Sequence, residues 1–124
     1  MNLQQVIDES RPMLEEFLTM IGLHKGGSPL NLEILLDPFS RWVDSQEVPE
    51  DKRFYLASRL GAFICEYLID HCSGQRIIED ERIIMRIPNQ DGTFRDFDPY
   101  SVAIGMAKEK SSLKEFINSF IIYS

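Results

Sequence analysis

Glu66 and Asp70 come nearest to a reactive arrangement in this 124-residue chain. Residues four apart on a helix share a face, so the two carboxylates would lie one above the other. Like charges at that spacing repel, and burying either would raise its pKa. Paired carboxylates with separated pKa values can act as general acid and base. At 100° per residue the same stripe also carries Lys52, Tyr55 and Arg59. A solvated face is therefore the simpler role, or ion pairs with arginines such as Arg82, Arg86 or Arg95.

The remaining reactive residue types are sparse. Cys65 and Cys72 fall on one helix face, two turns or roughly 10 Å apart, too far for a disulfide within an intact helix. They read as buried free thiols, which suits a reducing compartment. Only His71 is near enough in sequence to join them at a metal, and its side chain points about 100° away from Cys72. His24 sits beside Lys25-Gly26-Gly27, which lacks the Gly-x-x-x-x-Gly-Lys-Ser/Thr spacing of a phosphate cradle and reads as a turn. Asn89 to Asp98 holds aspartates around Gly92. A calcium loop with that glycine in sixth place would put Ile87 where a carboxylate is needed. No serine or cysteine has the surroundings of a nucleophile. No cofactor or metal is implied, no reaction is named, and a non-catalytic reading is favoured.

The element that must carry Glu66 and Asp70 spans about 52–72. Apart from its polar stripe this segment is apolar or small, and a helix apolar on most sides must be covered on most sides. Its face of Ala57, Gly61, Cys65 and Cys72, with Phe54 at its start, predicts close approach by another element at Gly61. Around this central pillar the periodicity predicts a helix over about 2–22, bent or restarted near Ser10 because of Pro12. Ser28-Pro29 and Asp37-Pro38 read as two helix starts, giving a short helix and then a second over about 38–45. Ser45 to Asp51 reads as a polar linker. Gly74 is the expected left-handed residue closing the pillar. Strands follow at 76–79, 82–87 and 93–97, joined by Asp80-Glu81 and by a two-residue Asp91-Gly92 turn, as an antiparallel meander. Asp98-Pro99 and the capping box Ser112-x-x-Glu115 open two final helices, the first with Val102, Ala103, Met106 and Ala107 inward. The fold class is α+β, mostly helical, in one domain over 1–124.

The formal net charge is −7. Residues 1–51 hold ten acidic and three basic side chains, whereas 52–124 hold ten of each, so the whole imbalance lies in the first part. An acidic surface disfavours nucleic acid and anionic membranes. No run is long and apolar enough for a membrane span, and MNLQQVIDES does not read as a secretory signal. A cytoplasmic location is expected.

Leu60-Gly61-Ala62 with Glu66, a hairpin after Gly74, Phe97-Asp98-Pro99-Tyr100 and Ser112-Leu113-x-x-Phe116 together cover about half the chain. Their layout resembles a bacterial family of small uncharacterised α+β domains. The resemblance implies that fold and no established activity, and it supplies no catalytic residue.

The leading functional expectation is a protein-binding domain, for instance an immunity-type protein neutralising a basic toxin. Its contact residues would be Phe39, Trp42, Asp44 and Glu47. A self-associating domain with Ile122 or Tyr123 at a homodimer contact is the second expectation. A small-molecule binder or enzyme using Glu66 and Asp70 is the third.

Overall fold

Asn2 opens the first helix by accepting the Gln5 N–H on its side-chain oxygen. The structure is a computed structural model describing residues 2–109 and 111–123, with side chains up to residue 120. The self-association expectation on Ile122 and Tyr123 lies outside the described side chains. Helix α1 (Leu3–Met20) runs through Pro12 without restarting, and Ser10 is buried within it rather than capping a second segment. Helix α2 (Leu32–Ser45) is one helix through Pro38, capped by Asn31 and not by Ser28. Asp37 is not a cap. It pairs with Arg41 and with Lys114, the latter at 2.9 Å.

The acidic linker ends in a 3-10 turn, Glu50–Lys52, leading into helix α3 (Arg53–Cys72). Ser73 takes the left-handed conformation at its end, φ 57°, where the sequence placed Gly74. Gly74 answers a different demand. A Cβ there would lie 2.8 Å from Met85 Cε and 2.9 Å from Ile87 Cδ1. The chain then folds into an antiparallel meander of β1 (Gln75–Glu79), β2 (Arg82–Pro88) and β3 (Phe94–Phe97), in that spatial order. Asp80 and Glu81 both have positive φ, as a tight twisted hairpin requires. The second connection is longer than a two-residue turn. Asn89 N–H bonds the Thr93 carbonyl, Gly92 N–H bonds back to Asn89, and Gly92 itself is left-handed.

Asp98 caps helix α4 (Pro99–Glu109) by accepting from both Tyr100 and Ser101 N–H at 3.1 Å. Ser112 caps α5 (Leu113–Tyr123) through Glu115 N–H. Helices α1, α2, α4 and α5 and strand β2 all pack on α3. The pillar expected from the sequence is thus the centre of the molecule, with Leu60, Phe63, Ile64, Cys65 and Leu68 fully enclosed. Helix α4 lies closest. A Cβ on Gly61 would stand 2.5 Å from Tyr100 Cδ1, so the missing side chain is what admits the tyrosine ring. Among the described residues no helix is long and apolar enough to cross a membrane.

Candidate functional site

The two carboxylates of α3 are both engaged, by arginines other than those expected. Glu66 is only 3% exposed and accepts from Nη2 of Arg76, the second residue of β1, at 3.0 Å. Asp70, one turn on and nearer the surface, takes a two-pronged bond from Arg11 of α1 at 3.1 and 2.9 Å. The Glu66–Asp70 end of the stripe is therefore the seam along which β1 and α1 are tied to the pillar, while Lys52 and Tyr55 at its other end are exposed. Burial raises the Glu66 pKa, opposed by the positive charges of Arg76 and Arg11.

Around Glu66 lies a small enclosed polar cluster. Burial pushes the Tyr100 hydroxyl up to about 12 and the Cys65 thiol to about 12, so both are protonated and unreactive at neutral pH. The Ser10 hydroxyl sits near enough to Tyr100 to influence it but has no hydrogen bond, and Arg76 Nη1 is likewise buried without one. A carboxylate held by a guanidinium between a neutral phenol and a neutral thiol is well placed to hold elements together. None of its side chains lines the recesses along α1 or at the start of α3. Among the described residues no three His, Cys, Asp or Glu side chains gather as a metal site would require. His24 packs buried, with Nε2 3.4 Å from Glu15 Oε1, and His71 lies against the Tyr67 ring.

One broad, shallow recess lies along α1 among Pro12, Glu15, Glu16, Thr19 and Met20, and three others gather where the linker meets the start of α3. One, of about 220 Å³, is lined by Glu50, Arg53, Phe54, Ile104 and Lys108. A second, about 180 Å³, has Trp42, Glu47, Lys52 and Tyr55 in its walls over Phe17. A third, of about 70 Å³, holds Asp44 and shares Arg53 and Lys108 with the first and Gln46, Val48 and Leu56 with the second. The three form one furrowed face. Phe54 is 76% exposed and Ile104 42%, both large apolar groups left in water. Asp44, Glu47, Glu50 and Asp51 are exposed on the same stretch, and none forms an ion pair among the described residues.

Of the four contact residues expected from the sequence, three belong to this face. Trp42 is half-buried and lines the second recess with Glu47, and Asp44 lines the third. Phe39 does not belong. It is fully buried, stacked on Trp42 and 4.7 Å from Phe63, so it backs the face from the core. Sequence reasoning missed Phe54 as an exposed group, having set it on the covered side of the pillar. It also passed over Ile104, which falls outside the inward set of α4. An apolar residue off the buried face of its own helix was the available signal.

No protein-family model, curated protein or solved structure matches the chain. Two pairs among the short motifs noted in the sequence meet in the fold. Gly61 receives Tyr100, and Phe97 packs edge-on against Phe116 at 5.4 Å. Asp98 and Ser112 are helix caps. In this fold Gly61, Phe97, Asp98, Tyr100, Ser112 and Phe116 pack and cap.

Proposed function

We propose that this chain is a non-catalytic protein-binding domain that recognises a basic protein partner through the face formed by residues 42–55 and the exposed side of α4. The observation that carries this reading is the exposed Phe54 and Ile104 beside four carboxylates without ion pairs among the described residues, Asp44, Glu47, Glu50 and Asp51, which outnumber the cations Lys52, Arg53 and Lys108 of the same recesses. An apolar centre with a charged rim is the anatomy of a binding surface, and the excess of negative charge selects a positive partner and speeds encounter. An immunity-type protein that neutralises a basic toxin is one concrete form.

The test compares the wild-type chain with a Glu47→Lys/Glu50→Lys/Phe54→Ser variant as bait in extracts of the source cell at low salt. A basic protein held by the wild type, released by added salt and lost by the variant is the expected result. Retention of the same proteins by both baits, or capture of none, refutes the reading.

A further inference from the structure

We infer that the recess between α2 and the first turn of α3 is a subsite for one cationic side chain, the ammonium or guanidinium of the basic partner. This rests on the protein-binding reading above and assigns chemistry to one part of that face. The walls are aromatic. Trp42 meets Phe17 edge-on at 5.7 Å, and Phe17 meets Tyr55 edge-on at 6.0 Å, so three rings from α1, α2 and α3 are locked in one cluster. Glu47 stands at the rim, exposed and without an ion pair. Aromatic faces attract cations through their quadrupole, indole most strongly, and an adjacent carboxylate adds net charge to the attraction.

The rings already show this preference within the fold. Arg59 stands over Tyr55 with its guanidinium carbon 4.2 Å from the ring centre. Trp42, the stronger acceptor, has no cation over it among the described residues. Phe39 stacks on the indole from the core side and fixes its orientation, which limits the order lost when a guest binds. Four positive charges lie on this face, Arg53 and Lys108 in the adjoining recesses and two closer in. Lys52 shares the recess and is exposed, and Arg59 is engaged by the Tyr55 ring and by Ser58 Oγ. Against them stand Asp44, Glu47, Glu50 and Asp51, all exposed on the same segment. A recess of about 180 Å³ has room for one long side chain and not for a folded element.

Trp42 is the sole tryptophan, so its fluorescence reports on this recess alone. The probe is a capped peptide of alternating glycine and arginine, compared with its citrulline counterpart, which keeps the shape and loses the charge. The arginine peptide should change the Trp42 emission saturably at low salt, and the citrulline peptide should bind about tenfold more weakly or worse. Glu47→Gln should weaken the arginine peptide about two- to fivefold, as an exposed charge contact allows, with the helical circular dichroism unchanged. Lys52→Gln should strengthen it. Equal responses to both peptides, or none to either, overturn the inference. If an extract yields a basic partner while the peptides give no response, the protein-binding reading stands and the subsite falls. A charge-selective response with no partner captured leaves the subsite and removes the wider reading.

Discussion

Gly61 and Glu66 lie little more than one turn apart on α3, and each is explained by what is pressed against it. The ring of Tyr100 occupies the space a Gly61 side chain would need, with 2.5 Å between a built Cβ and Tyr100 Cδ1. Gly61→Leu should therefore cost about 1–3 kcal/mol, read as a lower urea midpoint with an unchanged slope. The penalty should shrink in a Tyr100→Ala background, because the clash is shared. A wild-type midpoint for the single variant would contradict the packing. Glu66 is a matter of protons. Burial raises it above the ordinary 4.5, so between that value and its raised folded value the native state holds more protons than the unfolded chain. Its contribution to stability is fullest below 4.5 and declines as pH rises through that window. Asp37, Asp91 and Asp96 work in the other direction. Their partners Lys114, Thr93 and Arg86 hold them below 3.8, and their contribution is lost only as pH falls beneath that value. Glu66→Gln should thus flatten the stability profile above pH 4.5 and leave the acid limb in place. Parallel profiles for the two proteins above pH 4.5 would refute this assignment.

Helices α1 and α2 each run through a proline, and the reason is the side on which the lost bond falls. Pro12 has no N–H for the carbonyl of Asp8, and Pro38 has none for Ile34. Both Asp8 and Ile34 are exposed, so water can meet the freed carbonyls while the opposite face stays packed on the core. Pro12 is itself exposed, so Pro12→Ala forfeits no core packing. It should stabilise the protein by about 1–3 kcal/mol, measurable as a higher thermal midpoint. No gain at all would mean that Pro12 is needed for Arg11 to reach Asp70. What was legible in the chain follows from the same contrast. The pillar, the meander and the Asp98 and Ser112 caps are written in local spacing, and they stand where that spacing puts them. The continuity of α1 and α2 is decided by which face meets the core, and a proline signal cannot convey that. The candidate face was legible in Trp42, Asp44 and Glu47. It was hidden in Phe54 and Ile104, whose exposure depends on how far α4 extends along α3. Glu66 looked solvated because its partner, Arg76, lies across a helix end on another element.

At the level of the molecule, the arrangement around α3 separates a sealed interior from one furrowed end. Phe17, Phe39, Phe63 and Tyr67 continue inward from Trp42 as a column of touching rings. Asp44, Glu47, Glu50 and Asp51 at that end form no ion pair among the described residues, whereas Asp37 and Asp70 hold helices together. The two thiols of α3 lie on the sealed side, Cys65 fully enclosed and Cys72 7% exposed at the last position of the helix. They amount to a pair of internal stopwatches. Iodoacetamide should mark Cys72 first, since unwinding the final turn suffices to bare it, and Cys65 only when the whole bundle comes apart. Mass spectrometry of a labelling time course would then give the fraying rate of the helix end and the opening rate of the entire domain from one sample. Equal rates at the two sites would show that the pillar lets go in a single event.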